Sequence, residues 1–189
     1  MNNYKNWRQV QRNEEKDYRC GYCGKNVGSD RGYQRKERGD KIYICPNCSC
    51  PTFFRSGDDQ VPGPSYGAEV DNLPTDIGML YRESRECIKH SLYNASVLTA
   101  RKILMHVAVD QGAGKDLSFA KYVDYLGDEG YLPPGGEGWV DRIRQKGNEA
   151  NHEIPSMSQE DAEELVKFLE MLLRFVYELP GAIPEEADR

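Results

Sequence analysis

Two short cysteine pairs constrain what this chain can fold into more than any other feature. Cys20-Gly21-Tyr22-Cys23 and Cys45-Pro46-Asn47-Cys48 are separated by 21 residues. Each pair can present two thiolates from one tight turn, and two such turns close a tetrahedron around a metal ion. Gly24 follows the first pair and suits the unusual backbone such a turn often needs, while Pro46 pre-sets a backbone angle inside the second. A hairpin fits between the pairs: Gly32-Tyr33-Gln34, a polar stretch with Gly39-Asp40, then Lys41-Ile42-Tyr43-Ile44. Thr52-Phe53-Phe54 offers a third short strand.

Disulfides or free thiols are the alternative, and the paired spacing and a reducing compartment both disfavour them. The pattern resembles a zinc ribbon, with Cys20, Cys23, Cys45 and Cys48 holding one structural Zn2+ per chain. Four cysteine ligands leave no open position for water, so this metal is expected to fold a small module and not to catalyse. Cys50 is a fifth thiol close to the second pair, able to compete as a ligand but expected beside the site without binding, and Cys87 reads as a small core residue on a helix face. Tyr22, Tyr33 and Tyr43, with nearby Arg and Lys, can stack on nucleic acid or pack the ribbon; packing is expected for most of them.

Charge divides the chain. Residues 1–55 carry 12 Lys+Arg against 6 Asp+Glu, whereas residues 56–189 carry 13 against 25. The basic head can neutralise phosphates of RNA or DNA, or dock on the chain's own acidic remainder. At 189 residues, with 30% charged and 38% hydrophobic side chains, there is room for one ordinary domain plus a small module. Residues Met1 to Arg8 contain no apolar run that could act as a secretion signal, and no stretch approaches the roughly 20 apolar residues that cross a bilayer. The expectation is a cytoplasmic protein with no membrane partner.

The sequence divides into an N-terminal extension (1–14), the ribbon (15–56), a linker or wrapping loop rich in Gly, Pro and acids (57–72), an all-α domain (73–180) and an acidic tail (181–189). Five helices are expected in the all-α domain. The first follows Leu73-Pro74-Thr75-Asp76 and carries Ile77, Leu80, Tyr81, Cys87 and Ile88 at helical spacing. The second runs from about Ala95 to Asp110 behind a break near Asn94, the third from about Leu117 to Leu126, and the fourth from about Glu137 to Asn151. The fifth starts at Ser158 with a capping side chain, displays Leu165, Phe168, Leu169, Leu172, Phe175, Val176 and Leu179 as one stripe, and stops at Pro180-Gly181.

Most candidate active-site patterns fail. Gly112-Ala113-Gly114-Lys115-Asp116 follows a helix and has Asp116 where a phosphate loop needs Ser or Thr. No serine-hydrolase elbow or His-Glu-x-x-His pair is present, and His90 and His106 are isolated. Arg144, Asn148 and His152 remain; they lie at successive intervals of four and would form one polar stripe on the fourth helix.

With these residues the chain resembles the domain-of-unknown-function 4145 family, related to HEPN helical domains of prokaryotic immunity and toxin systems. The resemblance rests on the ribbon, Leu73 to Ile77, Ala100-Arg101-Lys102-Ile103-Leu104, Gly147-Asn148-x3-His152 and the final amphipathic helix. It implies a HEPN-like bundle, commonly a homodimer. It also implies, for active members, a metal-independent ribonuclease in which the histidine moves protons and an arginine steadies the phosphate. Here Gly147 stands where that arginine belongs, and Arg144 is a turn earlier. The expectation is therefore a noncatalytic binding or adaptor protein acting on nucleic acid or a protein partner in prokaryotic or phage stress or defence. In that reading Arg101, Arg144, Asn148 and His152 form a binding or helix-locking motif. The alternative is an endoribonuclease toxin or effector using His152 with Arg144 and Asn148.

Overall fold

The computed structural model describes residues 7–35, 37–56, 58–132, 138 and 157–182. The chain forms two compact units: Met1–Ser65 with Lys89–Ser91, and Tyr66–Ile88 with Leu92–Arg189. An N-terminal antiparallel sheet is followed by a helical region.

In the first unit, β1 (Gln11–Arg19), β2 (Asn26–Gln34), β3 (Lys41–Ile44), β4 (Pro51–Phe54) and β5 (Gln60–Val61) form one antiparallel sheet in chain order. The expected three strands are present, but the sheet is larger. β1 begins at Gln11, inside the stretch the sequence reads as an extension, and pairs along β2 from Gln11↔Gly32 to Arg19↔Asn26. Its sequence, QRNEEKDYR, buries only Tyr18, so no apolar alternation announces a strand. The register slips between Arg12 and Lys16, and Tyr43 Oη donates to the Glu14 carbonyl (3.0 Å), tying this bulge to β3. Gly32 is obligatory for a spatial reason, because a Cβ there would stand 1.7 Å from the Ile42 carbonyl oxygen.

The rings of Tyr18 and Tyr43 meet Phe54 edge to face, at centroid separations of 5.3 and 5.6 Å. Among the described residues, this aromatic trio and the cysteines form the unit's buried hydrophobic cluster, with Val27 packed against it. It is an imperfect core, since among the described residues the buried hydroxyls of Tyr18 and Thr52 face one another without a close hydrogen bond.

The second unit contains α1 (Thr75–Lys89), α2 (Tyr93–Asp110), α3 (Phe119–Asp128) and α4 (Gln159–Leu173). The expected fourth helix, about Glu137 to Asn151, lies outside the described residues apart from Gly138. α1 carries Asp76 in its first turn and Lys89 in its last, each at the helix end its charge favours. α2 contributes Val97, Ala100, Ile103, Leu104, Val107 and Ala108 to the core and packs against α3 and α4. Where α1 meets α2, the buried hydroxyls of Ser84 and Ser96 lie 3.0 Å apart, each also within reach of the other's backbone carbonyl, so their two protons are both placed. α4 opens with the expected cap, completed as a box: Ser158 Oγ accepts from Asp161 N and Asp161 Oδ2 from Ser158 N.

The end of α4 departs from expectation. Past Leu173 the chain widens into a π-helical turn, Arg174–Glu178, before a short Leu179–Gly181 helix. The wider turn breaks the 3.6-residue register, so Phe175 and Leu179 are exposed at 45% and 57% instead of continuing the apolar stripe. Arg174 sits at the switch, bonding Glu170, Glu178 and the Glu69 carbonyl. Cys87 is half-buried and outside the core cluster.

The stretch read as a linker or wrapping loop is in part a strand of the sheet. Gln60–Val61 is a strand, whereas Tyr66 to Asp71 wraps the helical unit through its backbone. Arg85 donates to the Tyr66 and Gly67 carbonyls and to Glu69 Oε1 (2.8 Å). Tyr81 Oη donates to the Ala68 carbonyl (3.0 Å), and the Ala68 N–H donates to Glu170 Oε2 (3.1 Å). The Asp71 N–H donates to Glu178 Oε2 (3.1 Å). These side chains supply the partners that an extended backbone lacks when no strand lies beside it.

Candidate metal centre

Each cysteine pair is built by the same backbone turn. In the first, the Cys20 N–H donates to the Lys25 carbonyl (2.9 Å) and the Gly24 N–H to the Cys20 carbonyl (2.9 Å). In the second, the Cys45 N–H donates to the Cys50 carbonyl (3.0 Å) and the Ser49 N–H to the Cys45 carbonyl (2.9 Å). The residue after each second cysteine takes a left-handed conformation, Gly24 at φ 69° and Ser49 at φ 62°. The sequence exposes the glycine as a turn former and gives no such sign for the serine.

These turns point backbone donors at sulfur. Cys20 receives the N–H groups of Cys23 and Tyr22, and Cys45 those of Cys48 and Asn47. Cys23 and Cys48 are reached by the N–H groups of Lys25 and Cys50. Gly21 is needed where the chain passes close, since a Cβ there would lie 2.4 Å from the carbonyl oxygens of Pro62 and Gly63.

The four sulfurs converge. All lie within 4.8 Å of one another, with Cys20 Sγ–Cys48 Sγ at 3.7 Å and Cys23 Sγ–Cys45 Sγ at 3.8 Å. Metal–thiolate bonds of about 2.3 Å in a tetrahedron give sulfur–sulfur edges of about 3.8 Å. The donor set therefore fits a tetrahedral metal ion. Burial pushes Cys20 and Cys45 up and Cys48 up to about 12. Cys23 is also raised by burial, but the Lys25 N–H, Asn47 and the neighbouring thiols outweigh this and bring it down to about 7. Four thiolates packed this closely require a cation to share their charge, and metal binding would displace their protons. Cys50 lies beside the site with its Sγ turned to the Cys48 carbonyl (3.8 Å), as expected of a bystander.

The second candidate site is only partly described. Arg144, Asn148 and His152 lie outside the described residues. Arg101, on α2, is half-buried, with its guanidinium 4.3 Å from the Phe119 ring centre. Burial lowers its pKa. His90 and His106 are exposed. Gly112 to Asp116 form the exit from α2, with the Ala113 N–H donating to the Ala108 carbonyl (2.9 Å), so the rejected phosphate loop is a helix end. The polar residues that sequence reasoning missed are the buried Arg85 and Glu170 and the half-buried Arg174; among an amphipathic helix's many charges nothing marks them out.

The family model described as Domain of unknown function (DUF4145) matches residues 82–188, more than half of the chain. The chain belongs to this family. The match starts inside α1 and includes Arg101, Arg144, Asn148 and His152, so the four cysteines lie ahead of the family region. No curated protein and no solved structure matches the chain. Among the described residues, no helix is long and apolar enough to cross a membrane.

Proposed function

We propose that this protein is a noncatalytic binding or adaptor protein in which a zinc ribbon is joined to a HEPN-like helical domain. The observation that carries the reading is the closed set of four converging thiols, Cys20, Cys23, Cys45 and Cys48. A soft, all-thiolate tetrahedron suits zinc above harder cations, and it spends every position on protein ligands. Bound there, Zn2+ supplies a cross-link between the two turns. The chain's own contribution is a small cross-linked module joined in sequence to a helical domain. Its partner is a nucleic acid or a protein, in a prokaryotic or phage stress or defence setting that follows from the HEPN relationship. In this reading the protein acts in a cytoplasmic compartment as a homodimer, and Arg101, Arg144, Asn148 and His152 serve binding or helix locking.

A second reading is favoured by one observation, the Asn148-x3-His152 spacing inside the family region. It makes the protein a metal-independent endoribonuclease, with His152 moving protons and Arg144 in place of the arginine missing at Gly147. One experiment separates the two. The purified protein is incubated with RNA in the presence of chelator, alongside His152→Ala. Intact RNA in both samples, with about one zinc per untreated chain, is expected for the adaptor. Cleavage that disappears in a folded His152→Ala variant overturns it.

A further inference from the structure

We infer that the tip of the first cysteine turn, made of Arg19, Tyr22 and Lys25, is a contact surface for single-stranded nucleic acid. The inference rests on the binding reading above and assigns that binding to one end of the ribbon.

The ribbon's tyrosines have separate fates. Tyr43 is 1% exposed, with its hydroxyl committed to the Glu14 carbonyl. Tyr33 packs near Trp7, and its hydroxyl donates to the Arg8 carbonyl (2.6 Å). Tyr22, between Cys20 and Cys23, is 53% exposed. An aromatic ring in water at the apex of a tight turn gains nothing for the fold. The turn itself is held by backbone hydrogen bonds and by the sulfurs on either side of the ring.

Most of the ribbon's described cations face a carboxylate of the unit: Arg12 and Arg31 share Asp30, Lys16 faces Asp58, Arg35 Asp40, Lys41 Glu14 and Arg55 Asp59. Arg8 and Arg38 are exposed without an ion pair among the described residues, but neither lies in the cysteine turn that carries Tyr22. At the tip Arg19 Nε donates to the Gly24 carbonyl (3.1 Å) and Lys25 Nζ to Asn47 Oδ1 (3.3 Å). Both partners are neutral, so they orient the side chains without cancelling their charge. Among the described residues, neither Arg19 nor Lys25 forms an ion pair with a carboxylate, and both are exposed.

An exposed ring flanked in sequence by two oriented cations without carboxylate partners complements a flexible strand that offers flat bases and phosphates in succession. A duplex hides its base faces and would use only the cations. An acidic peptide would likewise use the cations and leave Tyr22 idle. The groove of about 470 Å³ along β1 and β2 beyond Arg19 does not extend the phosphate track, because Asp17 lines it.

The test measures binding of a labelled oligouridylate to the full-length, metal-loaded protein by fluorescence anisotropy, over a range of salt. Tyr22→Ala, Tyr22→Phe, Arg19→Gln and Lys25→Gln are compared, each checked for metal content and circular dichroism. Tyr22→Ala is expected to weaken binding by about five- to a hundredfold, while Tyr22→Phe retains it. Each cation variant is expected to reduce the slope of log affinity against log salt by about 0.7. Wild-type affinity in all four variants overturns the assignment to the tip and leaves the adaptor reading standing. Absence of oligonucleotide binding by the metal-loaded protein also overturns it and directs the adaptor reading to a protein partner. Competition by polyglutamate that depends on Arg19 and Lys25 but not on Tyr22 replaces the nucleic acid with an acidic peptide. RNA cleavage that requires His152 would remove the adaptor reading, and the tip would then be judged by its own variants.

Discussion

In the sheet unit the buried cluster consists of three aromatic rings and the cysteines, and among the described residues the buried hydroxyls of Tyr18 and Thr52 have no close hydrogen bond. In the helical unit a continuous apolar core runs from Val70 and Ile77 through Leu104 and Val123 to Leu169 and Val176. Its buried polar groups are matched: Ser84 with Ser96, Tyr81 with Ala68, Glu170 with Ala68, Lys167 and Arg174. An unpaired buried hydroxyl costs about 1–3 kcal/mol, and three rings offset few such losses in a small module. The difference shows where stability comes from. The helical unit can draw on hydrophobic burial, whereas the sheet unit depends on whatever holds its thiols together.

The largest expected effect follows from that contrast. Structural zinc supplies about 10–16 kcal/mol of apparent binding free energy in small modules, which is folding free energy when the apo module is unfolded. Chelation, or the double change Cys20→Ser and Cys23→Ser, should abolish amide protection at Tyr43 and Thr52 while helical circular dichroism persists. Leu169→Ala, at a fully buried core position, should do the reverse. It should destabilise the helical unit by about 2–5 kcal/mol and leave the metal content unchanged. Sheet protection that survives chelation would show that the aromatic trio suffices and would erase the contrast.

The strap offers a second, smaller test, confined to the helical unit. Burial raises the Glu170 pKa, but the Ala68 N–H, Lys167 and Arg174 outweigh it, and the net shift is downward. A carboxyl with a depressed folded pKa contributes stability that is complete above its unfolded value, about 4.3 for glutamate, and is lost as pH falls through its lower folded value. Acid should therefore loosen this strap. Glu170→Ala removes the acceptor of the Ala68 N–H and one partner of Arg174, at an expected cost of about 1–3 kcal/mol. Glu170→Gln should retain part of the Ala68 contact and lose the acid-linked component. Equal acid sensitivity in Glu170→Gln and wild type would assign the dependence to other groups.

What the sequence discloses differs between the units for physical reasons. The cysteine cluster is legible because metal geometry would fix both residue type and spacing, so Cys20, Cys23, Cys45 and Cys48 stand out with no knowledge of the sheet. α1, α2, α3 and α4 are legible because each buries one face, and Ser158 announces its helix through its cap. β1 is not, because its charged side chains face water on both sides of a bulge and only Tyr18 turns inward. The π-helical turn is hidden because Phe175 and Leu179 continue an apolar period that the backbone abandons at Arg174. The strap is hidden because its order comes from distant side chains, Arg85 and Glu170, and not from its own composition.

The smallest expected effect lies within the sheet unit, between its two cysteine turns. They share the same hydrogen bonds, yet one carries glycine at the left-handed position and the other serine. An L-residue in that conformation costs roughly 1–2 kcal/mol, partly offset by the roughly 0.5–1 kcal/mol of chain entropy that a glycine loses on folding. Space is not limiting at Gly24, where an added Cβ meets nothing within 4 Å, so Gly24→Ala reports conformational cost alone. It should weaken metal retention in a chelator competition by about 1 kcal/mol, a severalfold change in apparent affinity. Ser49→Gly should strengthen retention by less than that, because the glycine brings its own entropic cost and the Trp7 Nε1 bond to the residue-49 carbonyl (2.9 Å) remains. A loss in Ser49→Gly as large as that in Gly24→Ala would mean that the serine side chain is required for the second turn. The two turns would then be equivalent in backbone only.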